Sequence, residues 1–159
     1  EHALWKGADG KIYQVTLSTL LDLGNAEVQA VKAYGSSTVY LLDEANTWRV
    51  TDEQTYFTWF DSWSGVTSVS PQTLKVYMDG RTNRGDALFA PGTRVKVAGN
   101  PRVYVSGTNG SLHWIVSELV ADSIYGSSWN KGLIEVRPER LWNYTMGVNV
   151  DSTQDIQTI

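Results

Sequence analysis

The stretch VKAYGSSTVY at residues 31–40 returns as VKVAGNPRVY at residues 95–104, 64 positions later. Valine and tyrosine favour strands, and Gly35 and Gly99 between them favour a tight turn. Each stretch therefore predicts two strands joined by a short turn. Because the whole pattern returns, we interpret the chain as one structural unit copied along its length.

The similarity continues through two later blocks. Residues 48–52 match residues 114–118 at a spacing of 66, beginning in both cases at a tryptophan. A Pro-x-x-Leu-x-x-Tyr-x-x-Gly block begins at Pro71 and again at Pro138, a spacing of 67. Loops absorb such small changes of spacing at little energetic cost, so the three blocks are consistent with one repeating unit.

The expected organisation of the 159 residues follows from these spacings. Trp5 and Tyr13 have the same separation as Tyr40 and Trp48, so the chain opens with the front part of a unit, turning at residues 8–10. We expect an abbreviated first repeat at 1–30, a second repeat at 31–80, a linker at 81–94, a third repeat at 95–148 and a polar tail at 149–159.

The expected fold class is α+β: a tandem repeat of three antiparallel strands and one short helix, predominantly β. The helix of the second repeat is predicted at 52–60, behind a capping box that starts at Thr51. The helix of the third repeat is predicted to begin after Ser117 and to end at Gly126. The two proline blocks are predicted to be extended. The predicted strands cover residues 31–34, 38–42, 47–50, 94–98, 102–106 and 112–116.

Composition excludes several classes of protein. The formal net charge of −4 and the pI near 5.1 argue against a nucleic-acid partner, which requires clustered cations. The sequence has no apolar run long enough for a membrane span, so we expect no membrane insertion. It has no cysteine, which excludes disulfides and thiolate metal sites.

Aromatic residues that recur in both full repeats are interpreted as a structural core, because two copies of an active site would also need their polar groups copied. These positions form four pairs. The pairs are Tyr40 with Tyr104, Trp48 with Trp114, Trp63 with Trp129, and Tyr77 with Tyr144.

Aromatic and polar residues that differ between the repeats are the candidate ligand-binding positions. Trp142 stands where the second repeat has Lys75, so we expect it to be exposed and able to stack on a sugar or a partner. Trp59, opposite Tyr125, is a second candidate. Asn109 is the third, since it lies in the hairpin loop at residues 107–110.

The sequence contains no motif for catalysis. It lacks a nucleophile elbow, a phosphate-binding loop and a zinc-protease motif, so we expect no catalytic residue, metal or cofactor. The one chemical alternative is a glycosidase, which needs two converging carboxylates. Acidic residues that could supply them are Asp43, Glu44, Asp52, Glu53, Asp61, Glu118 and Asp122.

The pattern of residues 91–97, Val103-Tyr104, Trp114, Trp129 and residues 143–147 resembles a poorly characterised repeat of secreted and cell-surface bacterial proteins. The resemblance covers about Val31 to Gly147 and implies a location, not a chemistry. It carries no catalytic residue or cofactor to this chain.

We therefore expect a non-enzymatic extracellular binding or adhesion module on a bacterial surface. Its expected partner is a cell-envelope glycan or a protein, including neighbouring copies of itself. The first alternative is an architectural subunit of a surface layer or filament. The second alternative is a fragment of a carbohydrate-active enzyme.

Overall fold

The computed structural model describes residues 2–6, 12–16, 28–153 and 155 and has a mixed α+β fold. Two five-stranded sheets form the body of the fold, and residues 2–6 and 12–16 form a separate antiparallel pair. Trp5 lies opposite Tyr13 in that pair. The corner predicted at residues 8–10 lies outside the described residues.

The central strands follow β-branched and aromatic runs, and the α-helices follow capping residues. Three short 3₁₀ helices, at Trp63–Gly65, Thr108–Gly110 and Pro138–Asn143, complete the described elements. The α-helices are α1 (Glu53–Trp59), α2 (Pro71–Met78) and α3 (Glu118–Tyr125). The strands are β1 (His2–Lys6), β2 (Ile12–Thr16), β3 (Gln29–Ala33), β4 (Val39–Leu42), β5 (Asn46–Arg49), β6 (Thr67–Val69), β7 (Thr82–Asp86), β8 (Arg94–Val97), β9 (Val103–Ser106), β10 (Ser111–Ile115), β11 (Ile134–Val136) and β12 (Thr145–Met146).

The two sheets have the same strand order. The first sheet runs β6-β3-β4-β5-β7 and the second runs β11-β8-β9-β10-β12. In each, three antiparallel strands form the centre and a parallel strand pairs on either edge. The three central strands of each sheet were predicted from the sequence, and the predictions are confirmed to within one or two residues at their ends.

Each sheet buries side chains on both of its faces. In the first sheet, Leu41 packs toward α1 and Leu42 packs toward α2. In the second sheet, Val105 packs toward α3, while Val95 packs toward the 3₁₀ helix at Pro138–Asn143. The core therefore consists of a layer on either side of each sheet, one built by the helix that precedes the edge strand β6 or β11 and the other by the helix that follows it.

Residues 87–91 carry the chain from the first sheet to the second. The amide of Ala87 donates to the carbonyl of Arg49, and its side chain is buried in the first sheet's core. Two residues later, Phe89 is buried in the core of the second sheet. This alternation joins the two cores through an extended segment only a few residues long.

Several sequence predictions differ from the structure. The block at Pro71 was predicted to be extended but forms α2, because Ser70 caps it by accepting from the amide of Thr73 and Pro71 occupies the first turn. The corresponding block at Pro138 forms a 3₁₀ helix. Residues 81–94 were predicted to be a linker, yet β7 lies within them and pairs with β5. Val150, in the predicted tail, is buried beside Ile115.

The pairing of Trp48 with Trp114 was also wrong. Trp48 lies opposite Leu41 on the face covered by α1, whereas Trp114 lies opposite Tyr104 on the face away from α3. The topologically corresponding spacing in this strand is 65, since Arg49 faces Tyr40 as Trp114 faces Tyr104. A shift of one residue exchanges the two faces of a strand, which accounts for the error.

The other predicted core aromatics differ in exposure. Tyr104 and Tyr144 are buried, whereas Trp63 is 41% exposed and covers Tyr56 from outside, with ring centroids 3.9 Å apart. The remaining predicted core aromatics, all half-buried, are Tyr40, Trp48, Tyr77, Trp114 and Trp129.

The helix caps refine the predicted helices. The N-cap of α1 is Asp52, not Thr51, because the Asp52 carboxylate accepts from the amide of Thr55 at 2.7 Å. Ser117 caps α3 as predicted, and Gly126 ends it with φ 76° and ψ 179°. Among the described residues, no helix is long and apolar enough to cross a membrane.

We predict that Gly126→Ala lowers the free energy of unfolding by about 1–3 kcal/mol, because this backbone conformation is accessible to glycine almost alone. No atom lies within 4 Å of an added Cβ, so the effect measures backbone strain and not a clash. Chemical denaturation measures it. Gly65→Ala is the matched control, since Gly65 also has open space but no positive φ, and we expect a change within about 0.5 kcal/mol. Equal effects of both substitutions would contradict the assignment.

Candidate functional site

A cleft of about 340 Å³ opens between the first sheet and the hairpin loop of the second. We call it the Trp48–Trp59 cleft. Its walls come from β5, α1, β7, the connecting segment and the loop at residues 107–110. The residues that line it are Leu41, Asn46, Trp48, Trp59, Arg84, Asp86, Ala87, Leu88, Phe89, Pro91, Gly107, Asn109 and Gly110.

Two indole side chains supply the apolar part of the cleft. Trp48 extends from β5 and Trp59 from the last turn of α1, and both pack against the core that contains Leu41 and Ala87. The Trp59 Nε1–H donates to the carbonyl of Leu88 at 2.8 Å, which fixes the ring relative to the connecting segment. Both indoles are half-buried, so each has packing support and still presents surface to solvent.

A chain of hydrogen bonds orders the polar wall of the cleft. The Arg84 Nε–H donates to the side-chain oxygen of Asn46 at 2.7 Å. The Asn46 amide in turn donates to the carboxylate oxygens of Asp43 at 3.1 and 3.2 Å. Because each group has a partner, Asn46 and Arg84 have defined orientations before any ligand binds.

The Asp43 carboxylate anchors this wall. It also accepts from the backbone amides of Ala45 and Asn46, at 2.7 and 2.6 Å. Burial raises the pKa of Asp43, but the Asn46 side chain, these two amides and the Arg81 guanidinium together bring that pKa below its usual value. Asp43 is therefore ionised at neutral pH and acts as an acceptor.

Asp86 supplies the carboxylate that faces the cleft. Arg49 donates to one of its oxygens from Nε at 3.0 Å and from Nη2 at 2.8 Å. The two side chains are 57% and 41% exposed, so the pair orients the carboxylate more than it stabilises the fold. The second carboxylate oxygen takes no part in this ion pair.

The hairpin loop of the second sheet forms the opposite wall. Asn109 has φ 56°, a left-handed conformation that asparagine tolerates better than most residues. A Cβ at Gly110 would lie 2.5 Å from Cδ1 of Leu88, so a larger residue there would require the Leu88 side chain to shift.

The first helix and the second sheet are held together beside the cleft. Arg140 Nη2 lies 2.8 Å from a carboxylate oxygen of Asp52 and also donates to the Thr55 hydroxyl. The amide of Ala90 donates to the hydroxyl of Thr58 at 2.9 Å. These contacts fix α1 relative to the connecting segment and to the 3₁₀ helix at Pro138–Asn143.

The connecting segment is fixed from the other side by Tyr144. The amide of Phe89 donates to the Tyr144 hydroxyl at 2.9 Å, and the two rings stack with centroids 5.9 Å apart. Burial raises the pKa of Tyr144, so its hydroxyl stays protonated. Phe89 thus enters the second core with its backbone polar group satisfied.

The structure brings two of the three predicted binding residues into one site. Trp59 and Asn109 both line the cleft, whereas Trp142 lies elsewhere, on the 3₁₀ helix at Pro138–Asn143, with 80% of its surface exposed. Sequence reasoning assigned Trp48 to the core, although it also lines the cleft. It missed Asn46, Arg84 and Asp86. Arg84 contacts Asn46, 38 positions earlier, and Asp86 contacts Arg49, 37 positions earlier. Local sequence patterns do not indicate contacts between residues so far apart.

Among the described residues that line the cleft, Asp86 is the single carboxylate, and a histidine is absent. His113 is buried in β10, where its ring nitrogens contact the carbonyl of Val148 and the hydroxyl of Ser111 at 2.8 and 2.9 Å. In the described part of the chain, no three His, Asp or Glu side chains are grouped so that they could hold a metal ion.

Comparison of the chain with known protein families, with curated proteins and with solved structures found no match in any of the three.

We predict a coupling energy on the order of 1 kcal/mol between Asp52 and Arg140, measured by a double-mutant cycle of Asp52→Asn and Arg140→Gln under chemical denaturation. Asparagine is also a good N-cap, so Asp52→Asn isolates the charge from the capping role. Lys75→Gln, which removes an exposed ion pair with Asp79, is the control and should not couple to Asp52→Asn.

The same pair gives a pH dependence. Burial raises the pKa of Asp52, but hydrogen bonds from Thr55, the Arg140 charge and the Thr51 hydroxyl bring it below the usual 3.8. The pKa of Asp52 is thus lower in the folded protein than in the unfolded chain. The stability that its charge contributes is complete above the unfolded-state pKa, and it is lost as the pH falls through the folded-state pKa. The wild-type protein should lose stability more steeply than Asp52→Asn below about pH 4. Identical pH profiles would contradict this prediction.

Proposed function

We propose that this chain is a non-enzymatic binding module that recognises a glycan in the Trp48–Trp59 cleft. The observation that carries the proposal is the pair of supported indoles facing a pre-ordered set of amide, guanidinium and carboxylate groups. Apolar and aromatic walls with a few fixed polar groups are the usual composition of a small-ligand site.

A sugar ring fits this chemistry. Its C–H faces are apolar and stack on an indole, while its hydroxyls both donate and accept hydrogen bonds. Asn46 and Asn109 can do both as well, Arg84 can donate, and Asp86 can accept. The volume of about 340 Å³ is at the lower end for ligand pockets, which favours one or two sugar rings over a long buried chain.

The two sheets further lead us to propose that residues 28–87 and 89–150 are two copies of one unit. Support comes from the identical strand order and from the helix N-caps at Asp52 and Ser117. In addition, the amide of Ala87 donates to the carbonyl of Arg49, and the amide of Val150 donates to the carbonyl of Trp114. The chain is then a tandem array, and the glycan cleft lies where one unit meets the next.

The proposed setting is a bacterial surface, with a cell-envelope glycan as the ligand. Support for this setting is the resemblance of residues 31–147 to repeats of secreted bacterial proteins. A glycan-binding cleft and a tandem array are both consistent with a module that attaches a surface protein to the envelope.

Hydrolysis is a weaker alternative for this cleft. Glycosidases use two carboxyl groups on opposite sides of the bond that is cut. Asp86 alone supplies a carboxylate among the described lining residues, and Arg49 neutralises it. Binding needs only one such acceptor.

A second proposal, an architectural role, is supported by the exposed apolar side chains of residues 142–148. Trp142, Met146 and Val148 are 80%, 60% and 69% exposed. Large apolar side chains in one exposed segment are typical of contact surfaces between proteins. This segment is separate from the cleft.

For the glycan, we predict that Trp59→Ala and Trp48→Ala each weaken binding at least tenfold, equivalent to about 1.4 kcal/mol. The measurement is a glycan-array screen followed by calorimetry with the strongest hit. Trp142→Ala is the matched control, since it removes a tryptophan outside the cleft, and should bind as the wild type does. Retained binding in both cleft variants, or loss in Trp142→Ala alone, would overturn the proposal.

For self-assembly, we predict that light scattering shows a rise in molecular mass with concentration that Trp142→Ser reduces. An exposed indole contributes association energy only when a partner covers it. Trp59→Ala should leave the mass unchanged. A constant monomer mass across the concentration range would exclude the architectural role.

A further inference from the structure

The charges around the glycan cleft are paired, with one exception. Arg49 donates two hydrogen bonds to Asp86, so this carboxylate is offset by a cation at 2.8 Å. Behind the polar wall, the Arg81 Nε–H donates to the backbone carbonyl of Asp43 at 2.6 Å, and its charge offsets the Asp43 carboxylate. Arg84 forms no ion pair within the part of the chain that the structure describes. The cleft wall therefore carries one guanidinium charge that has no carboxylate partner of its own.

The Arg84 side chain is oriented but only partly used. Its Nε–H donates to the Asn46 side-chain oxygen at 2.7 Å, and the Asn46 amide nitrogen donates to both carboxylate oxygens of Asp43. The remaining N–H donors of Arg84, on its two Nη nitrogens, have no partner among the described residues, and the side chain is exposed. A free pair of Nη groups on an oriented guanidinium can bind a carboxylate through two parallel hydrogen bonds.

We propose that the glycan in the Trp48–Trp59 cleft is acidic, and that Arg84 binds its carboxylate, as carried by a uronic acid, through the two Nη groups. This inference rests on the proposed glycan function and names the class of sugar. A sugar ring stacks on an indole, its carboxylate accepts from Arg84, and one of its hydroxyls donates to the second oxygen of Asp86.

The carboxylate of Asp86 in the same cleft favours a singly charged ligand group. A sugar carboxylate carries one negative charge, whereas a phosphate ester carries about 1.5 to 2 near pH 7 and is repelled more strongly by Asp86. The cleft volume of about 340 Å³ admits one or two sugar rings. A long polyanion would also be repelled by the formal net charge of −4. The observations therefore favour one carboxylate on a short stretch of glycan.

The experiment compares sugars that differ only at C6. The pairs are methyl β-glucoside with methyl β-glucuronide, and methyl α-galactoside with methyl α-galacturonide, and methyl β-glucoside 6-phosphate is the phosphate probe. Binding to the whole chain is followed by two-dimensional NMR at the Trp59 indole N–H and the Arg84 Nε–H. In at least one pair, the acidic sugar should bind about tenfold more tightly than the neutral one in about 20 mM salt. Raising the salt to about 500 mM should reduce this ratio, because salt screens an exposed ion pair.

Variants assign the preference to one side chain. Arg84→Gln should bring the ratio of acidic to neutral binding close to one, and Arg84→Lys, which keeps the charge without the planar pair of donors, should give an intermediate ratio. Asp86→Asn removes the negative charge of the lining and should raise the ratio. Arg137→Gln is the matched control, since Arg137 is exposed and lies outside the cleft, and its ratio should equal that of the wild type.

The outcomes separate this inference from the proposed function. Binding of the neutral sugars as tightly as the acidic ones would overturn the inference and leave the glycan function standing. No binding by any of the sugars would overturn both. Tighter binding of the 6-phosphate than of the glucuronide would overturn the choice of a carboxylate. An acid preference that persists in both Arg84 variants would overturn the role of Arg84.

Discussion

The register of the two central hairpins determines which side chains reach each face of each sheet. In the first sheet Leu41 lies opposite Trp48, and in the second Tyr104 lies opposite Trp114. Because side chains alternate along a strand, this difference places one indole toward the helix and the other away from it. The Trp48–Trp59 cleft exists because Trp48 lies on the same face as α1. A tryptophan one residue later, at the position of Arg49, would lie opposite Tyr40 as Trp114 lies opposite Tyr104, on the face away from α1.

The connecting segment turns two sheets into one structure. Ala87 belongs to the first core and Phe89 to the second, and the carbonyl of Leu88 between them holds the Trp59 ring. The same residues that join the sheets therefore form the floor of the cleft. The Arg140 guanidinium lies over the Phe89 ring, 5.4 Å from its centroid, and the Tyr144 hydroxyl accepts from the Phe89 amide, so the geometry of the site depends on packing far from its polar wall.

The sequence was sufficient for the central strands, for α1 and α3, and for the exposure of Trp142. These features follow from residue types that alternate or from caps that act over three or four residues. The edge strands were missed because β7 is polar throughout and pairs with a strand 36 residues earlier, which local patterns do not encode. The helix α2 was detectable, since Ser70 and Pro71 form a start signal. Trp59 and Asn109 of the cleft were predicted from the sequence. The polar wall was not, because it depends on the register in which β7 pairs with β5.

The loop at residues 107–110 closes a hairpin and also forms one wall of the cleft. It is one residue longer than the corresponding loop between β4 and β5. Hairpin tips tolerate insertions without disturbing the ladder behind them. The breadth of the opening can therefore diverge among descendants of this sequence through changes at that tip alone. Selection could adjust ligand preference in this way while leaving both hydrophobic interiors intact.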